Sequence, residues 1–497
     1  MAPKMEENSR GRSRLLGTAF LIASGLIASA QTPGPLGYSV ATPRPISPAE
    51  GTTNPSAQAT QSQNPYLGSM PSKNTGSRLQ LSLKGALDRG LRYNLGLIGS
   101  NQASADVRAG RLRALSTLLP QLSAQGRQGY ESLSYKELGL IPGFSGLPPT
   151  SGGFGYQDAR VSLTQSLHNA ELRNRYRARK SDEQASMLGI QDSRDVVVFA
   201  VGTAYLQVVA SGARAETARA QLASARELDQ QTANRVKNEV SPEIDSIRSQ
   251  VERQSAEQRL RNATNQLEKD KLTLAWIIGL AIDQEFELSD PLAYHPLSGI
   301  TSETATEEAL RCRADLRSAE TSVQAAEFTV RGQKAQRLPV VSVSADYGGA
   351  GANIGNFNQV YTVAGNISVP LYTGGRIHAD IEQAQADLTR RKAEYEDLKG
   401  RVAYDVRIAW LDLSASDSSA KVAERNKALA ERALVQSQDR YTNGVTNYLE
   451  VVQAQEAVTA AGENYIESLF SYNVAMISFA RAVGAAETKL PELRGGK

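Results

Sequence analysis

The sequence predicts a mainly α fold with a small β part, duplicated within one chain and built on long helical hairpins. Three observations carry this. An ordered set of segments occurs twice; two proline-free stretches are far longer than a globular helix; and four short alternating stretches lie beside those helices at junctions marked by proline or glycine.

The repeat is read directly. "LLPQLSAQGRQGY" (118–130) resembles "RLPVVSVSADYGG" (337–349), with Pro120 matching Pro339 at a spacing of 219. "AYLQVVAS" (204–211) resembles "AWLDLSAS" (409–416), and "RVKNEVSPEIDSIRSQ" (235–250) resembles "RYTNGVTNYLEVVQAQ" (440–455). Ala275 and Gly279 match Ala480 and Gly484, so an offset of 205 holds from Ala204 to Gly279. The fall from 219 to 205 lies mostly in a Gly/Pro/Ser-rich loop at 131–155 that exceeds its partner at 349–358. Each half then reads helix, two strands, long helix, turn, helix.

The strands show period two. Val341, Val343, Ala345 and Tyr347 share a face, as do Tyr361, Val363, Gly365, Ile367 and Val369, and as do Ala159, Val161, Leu163 and Leu167. Such alternation fits a membrane barrel and the half-buried sheet of a soluble protein alike. The segment "GGAGANIG" (348–355) lacks the spacing and the following lysine of a phosphate loop and is expected to be a loop between strands.

The helices weigh on that choice. From Arg376 to about Tyr441 there is no proline and one glycine, Gly400, and 171–236 is likewise proline-free. Some 65 residues at 1.5 Å each make a rod of about 100 Å. Return helices are expected at 242–279 and 447–484, the first with Ser241 as N-cap and Pro242 at the first helical position, the second with Asn447 and Glu450 at capping-box spacing. Four strands cannot close a barrel in lipid, where open edges are not tolerated. The membrane reading therefore requires oligomers, and three chains, giving twelve strands, are the fewest for a plausible hollow barrel.

Arg10, Arg12 and Arg14, the apolar run Leu15–Ile27 and the small residues Ala28-Ser29-Ala30 read as a secretory signal over 1–30. Residues 31–76 are rich in Pro, Ser, Gln, Asn and Thr and are expected to form a disordered leader. A first repeat over 77–280, a connector over 281–301, a second repeat over 302–486 and a tail over 487–497 follow. The formal charge of +3 is spread without a Lys/Arg run, which gives no reason to propose nucleic acid. The one cysteine, Cys312, leaves no intrachain disulfide and is expected to be an inert helix residue.

No catalytic constellation emerges. His168, His295 and His378 are scattered without clustered carboxylates or thiols, so no metal, cofactor or enzyme activity is expected. Trp276 and Trp410 are expected to be helix-packing residues.

The ordered set, twice over, resembles the TolC-like outer-membrane efflux channel family. The carriers are the junction "PLYTGGRI" (370–377), the paired "LP" before the first and third strands, the two turn patterns at 235–250 and 440–455, and the ending "FARAVG" at Gly484. The resemblance implies a homotrimer with a 12-stranded barrel in the outer membrane of a Gram-negative-type envelope and a helical barrel in the periplasm. It implies a passive conduit for efflux or type I secretion, docked to a periplasmic adaptor (membrane fusion protein) and an inner-membrane pump of RND, ABC or MFS type. It puts Asp245 and Glu450 at the periplasmic entrance, where three copies would make a ring of six carboxylates; solvated carboxylates opposite a helix dipole are the alternative. Arg235, Val240, Arg440, Tyr441, Gly444 and Val445 fall on the gating and adaptor-contacting tips, with Arg235 and Arg440 expected to pair across neighbouring tips. The family's glycine is kept at Gly444 and replaced by Glu239 in the first half. Pro370, Gly374 and Gly375 form the strand-to-helix joint, and Asn169 with Ala170 is expected to make an equivalent, less permissive one. A periplasmic coiled-coil adaptor or a scaffold stands as the alternative, although an adaptor would carry one hairpin and a scaffold would not need four bordered strands.

Overall fold

The computed structural model describes residues 64–74, 76–134, 150–291, 293, 294, 296, 301–352, 356 and 358–487. The signal at 1–30, the leader up to 63, His295 and the tail from 488 lie outside the described residues. The first repeat contains β1 (Leu79–Leu81), α1 (Leu83–Tyr93), α2 (Leu95–Ser116), β2 (Gln121–Glu131), β3 (Phe154–His168), α3 (Ala170–Lys237) and α4 (Glu243–Ile277). After β4 (Phe286–Leu288) the second repeat runs through α5 (Ser302–Cys312), α6 (Ala314–Ala335), β5 (Val340–Gly351), β6 (Asn358–Ser368), α7 (Arg376–Thr442) and α8 (Tyr448–Val483).

The repeat register is kept at the level of individual caps. Ser82 and Thr301, 219 apart, are the N-caps of α1 and α5, each accepting a hydrogen bond from the backbone three residues on. The leading helix expected in each half is in fact two helices, broken at Asn94 and Arg313, again 219 apart. Asn94 makes its break by accepting from Gly96 N and Leu97 N as the next N-cap, while its amide donates to Tyr66 O at 2.7 Å. Arg313 makes its break through charge, bound to Asp315 at 2.7 Å and Asp405 at 3.3 Å.

β2-β3-β5-β6 form one antiparallel sheet with β2 and β6 as its edges. The pairs Gln121↔Thr164, Ser166↔Ser342 and Val340↔Ser368 bring all four strand-to-helix junctions to the same end. A bulge between Ser166 and His168 takes Leu167 out of the alternation with Val161 and Leu163. Gly348–Gly351 belong to β5, paired with β3 and not looped out, and at Gly348 an added Cβ would lie 2.1 Å from Ala159 O; 353–355 lie outside the described residues.

Each repeat has its own core. In the first, Val197, Val201, Tyr205 and Leu206 of α3 pack with Leu81, Ala86, Leu97, Leu274 and Ile278. Among the described residues α3 is the one helix long and apolar enough by composition to cross a membrane, and half of that apolar window is buried within the protein. In the second, Val402, Val406 and Leu413 of α7 pack with Leu316, Tyr472, Met476 and Phe479. The two meet where Ile477 of α8 joins the first core over Gly202, whose absent side chain lets the helices approach.

The leader expected to be disordered as far as 76 is ordered over 64–74. Tyr66 packs on Gly96 and bonds Ser193 Oγ at 3.1 Å, Met70 N donates to Tyr93 O, and Ser72 N donates to Gly279 O, both at 2.9 Å. Three such anchors on a rigid helix pair offset the ordering entropy that its composition alone could not. The connector expected over 281–301 contributes β4, which pairs in parallel with β1. Trp410 is partly buried against the second core, whereas Trp276 is about half exposed.

Candidate functional site at the helical tips and joints

α3 and α4 form one hairpin, α7 and α8 the other. Both end in the same turn. In the first, Glu239 N donates to Val236 O and Val240 N to Arg235 O; in the second, Gly444 N donates to Tyr441 O and Val445 N to Arg440 O, at 2.9 to 3.1 Å. This pair of bonds needs one left-handed residue to turn the chain. Gly444 supplies it at φ +71°, and Glu239 supplies it at φ +59°, the one non-glycine residue with positive φ among those described. Val240 and Val445 crown the two turns and are about two-thirds exposed.

The start of the return helix differs between the tips. Pro242, not Ser241, caps α4 and makes no side-chain cap bond, so the first turn relies on Glu243 and Asp245 against the helix dipole. Asn447 caps α8 by accepting from Glu450 N at 3.3 Å. The reciprocal half of the capping box is missing, because the Glu450 carboxylate accepts from Thr446 Oγ1 and pairs with Arg440 at 3.1 Å. Asp245 is more loosely held, with Arg248 at 3.9 Å.

The hairpins are fastened to each other just above the turns. The guanidinium of Arg235 sits 4.5 Å from the centre of the Tyr441 ring and donates to Tyr441 O at 3.4 Å. Tyr441 is buried and meets Tyr448 edge-on at 5.8 Å, with Leu228 and Val451 completing the cluster. Burial, followed by the carboxylate of Glu252, the neighbouring Tyr441 and the carboxylates of Asp229 and Asp245, pushes the Tyr448 phenol far above its usual range. Asp229 is itself held by Ser249 at 2.8 Å and Arg253 at 2.9 Å, which ties α3 to α4. Arg235 thus reaches the other hairpin of its own chain, while Arg440 stays within its own. Sequence reasoning did not single out Asp229, Glu252 and Tyr448, because the groups they meet in this cluster lie on a different helix.

The joints solve one problem in two ways. Gly374 and Gly375 take φ +60° and +86°, and Gly375 is the N-cap of α7 without a side-chain bond. Asn169 instead keeps extended backbone and caps α3 by accepting from Leu172 N at 3.0 Å. It is a side-chain cap, not a stiffer copy of the glycine bend. Pro370 follows the end of β6 at Ser368, and Leu371 and Tyr372 beyond it are more than 90% exposed. His168 ends β3 against Arg173, and among the described residues no His/Cys/Asp/Glu group is arranged to hold a metal.

The sequence profile of the outer membrane efflux protein family matches residues 305–485, the second repeat. The outer membrane protein TolC of Escherichia coli is 22% identical over 397 residues, 75% of this chain and 76% of that protein. The chain is similar to the TolC-like outer membrane efflux proteins, and its second repeat carries their family profile. The solvent efflux pump outer membrane protein SrpC of Pseudomonas putida is 25% identical over 258 residues, 49% of this chain, and the aligned part spans only about half, 53%, of that relative. The outer membrane protein VceC of Vibrio cholerae superposes with a TM-score of 0.69 at 19% identity, covering 81% of this chain and 96% of VceC. The CmeC outer membrane channel of Campylobacter jejuni gives 0.67 at 17%, covering 88% and 94%. At these identities the structural likeness is one of fold: a mainly α chain with a small sheet. The matched family and the relatives named here are of the outer membrane.

Proposed function

We propose that this chain is the outer-membrane conduit of a tripartite efflux or type I secretion system, acting as a passive homotrimer whose tips are opened by a periplasmic adaptor and whose traffic is driven by an inner-membrane pump. The observation that carries the reading is what one chain leaves open. Both β2 and β6 are unpaired on one side, which lipid does not tolerate. The outer faces of α4 and α7 expose Ile244, Ile247 and Val251 on one and Leu411, Val422 and Leu429 on the other. Pairing β6 with the next copy's β2, and α7 with its α4, would close both layers by one symmetry operation, and three copies make twelve strands.

The tip contacts support gating. Arg235 on Tyr441 joins the two hairpins, so an adaptor that pulls them apart must break this contact. Asp245 and Glu450 would stand around the entrance, with Glu450 partly neutralised by Arg440 while the tip is in this state. The relatives' names mention different cargoes, from solvent to pyoverdine, and similarity at this level does not choose among them.

The test is the membrane fraction run on a gel with and without heating. A heat-sensitive species near three times the 53.5 kDa chain is expected, and a soluble monomer would overturn the reading. In planar bilayers the trimer should prefer cations, and Asp245→Ala with Glu450→Ala should lower that preference several-fold. Unchanged selectivity would remove the carboxylate ring from the proposal.

A further inference from the structure

The sheet register gathers four segments at the joint end of the barrel: the end of α2 (108–117), the start of α3 (170–180), the end of α6 (331–337) and the linker into α7 (370–380). These segments hold twelve Lys or Arg against two acids, Glu171 and Asp380, whereas the rest of the chain has more acids than bases. Arg108, Arg113, Arg175, Arg177, Lys180, Lys334 and Arg337 are exposed, and none has an ion-pair partner among the described residues. Arg179, Arg331 and Arg376, by contrast, are each paired with a carboxylate on their own helix. At the same level, Leu119, Leu338, Leu371 and Tyr372 are exposed.

We infer that this collar binds the headgroups of anionic phospholipids in the inner leaflet of the outer membrane; the inference rests on the barrel reading above. An apolar rim seated in acyl chains brings the adjoining basic side chains to the depth of the lipid phosphates. Long Lys and Arg stems reach that layer while keeping their alkyl parts in apolar surroundings. Arg111 is held by Glu183 at 2.5 Å, so the charge left over is chiefly that of the seven exposed cations named above. Unpaired cations this dense repel one another and are costly unless an anionic layer compensates them, and each one near such a surface attracts it. On α3 the cations lie on more than one face: Gly332 of α6 packs against Glu171, Asn174 and Arg175, and at 100° per residue Arg173, Arg177 and Lys180 point away from α6. The collar therefore surrounds the helix starts and does not form a single stripe.

The experiment places the full-length protein in nanodiscs made from equal amounts of zwitterionic phosphatidylethanolamine and anionic phosphatidylglycerol, extracts it mildly, and counts retained lipids by native mass spectrometry. Wild type should retain the anionic lipid with about tenfold enrichment. Raising NaCl from 50 to 500 mM should reduce that severalfold, because the contacts are electrostatic. A variant with Arg175→Gln, Arg177→Gln, Lys334→Gln and Arg337→Gln should retain both lipids about equally. A charge-matched variant on the hairpins away from the joints, with Arg226→Gln, Arg261→Gln, Arg425→Gln and Arg432→Gln, should keep the enrichment. The proposal is overturned by wild type holding lipids in the bulk ratio, by enrichment that ignores salt, by a collar variant that still enriches, or by equal loss in both variants. Phosphate buffer that strips the lipid at matched ionic strength would reassign the site to free phosphate and equally overturn it. Because the oligomer is read in the same spectrum, a chain that does not trimerise breaks the conduit reading separately from the lipid ratio. Should the collar variant fail to assemble, the wild-type ratio and its salt response decide.

Discussion

The second repeat turns its tip on Gly444, and the first turns the same corner, with the same two hydrogen bonds, on Glu239. A like contrast holds at the joints, where Gly374 and Gly375 bend the second repeat and the Asn169 side chain caps the first. The family profile matches only within the second repeat. The two halves therefore share a backbone and differ in how local chemistry secures it. The second uses glycine at both its tip and its joint, whereas the first uses a strained glutamate at its tip and a side-chain cap at its joint. What is retained between them is the position of the breaks and of the tip turns, while the joint caps Asn169 and Gly375 are one residue out of that register.

The largest effects should come where both repeats depend on glycine. Gly279 and Gly484, 205 apart, end α4 and α8 at φ +68° and +77°. An added Cβ at Gly279 would lie 2.6 Å from Met70 O, and at Gly484 it would lie 2.6 Å from Arg313 Cγ and 2.8 Å from its Cα. Strain in the left-handed region plus overlap predicts a loss of about 3 kcal/mol for alanine at either site. The comparison sharpens in the local readout. Gly279→Ala should also release the docked 64–74 segment, seen as faster proteolysis there, whereas Gly484→Ala should disturb the α5–α6 break at Arg313. Equal cleavage of 64–74 in both variants would show that the leader is not anchored at Gly279.

An intermediate effect separates the two long helices by charge. Asp195 on α3 is buried, whereas 205 residues on, α7 has Gly400. Burial, and the carboxylates of Asp192 and Glu487, raise Asp195 to about 6 against a partial offset from Glu487 N–H and Arg481. A carboxyl raised in the folded state binds its proton more tightly there than in the unfolded chain. Its contribution is complete below about pH 4 and is lost as the pH rises through about 6. The loss is on the order of 2 kcal/mol. Stability followed by urea unfolding should fall over that window, and Asp195→Asn should flatten it. A slope that survives the substitution would assign it to another group.

The repeat, the four strands, the joint glycines and the helix α7, expected over 376–441 and found over Arg376–Thr442, were legible because each rests on local pattern: period, proline exclusion and glycine placement. The breaks at Asn94 and Arg313 were not, since one depends on the Tyr66 carbonyl and the other on Asp405, both distant in sequence. The order of 64–74 was hidden for the same reason: its composition argues for disorder, and its anchors belong to other elements. At the tips, the positions of Arg235, Arg440 and Tyr441 were readable, but their partners were not. Arg440 finds Glu450 across its own turn, whereas Arg235 finds an aromatic ring on the other hairpin.

The smallest effect bears most directly on the comparison. Left-handed backbone costs a non-glycine residue about 1 kcal/mol, while glycine costs more entropy on folding. Glu239→Gly should therefore stabilise the first tip by somewhat under 1 kcal/mol, and Gly444→Glu should destabilise the second by about 1 kcal/mol. Hydrogen exchange at Val240 N–H and Val445 N–H reads the two turns separately, since each closes its own turn. Slower exchange at Val240 in Glu239→Gly, with faster exchange at Val445 in Gly444→Glu, would mean that the first tip is the more easily opened because of one side chain. If Glu239→Gly instead speeds exchange at Val240, the glutamate is holding its turn through contacts that outweigh the backbone strain, and the first tip would be the tighter of the two.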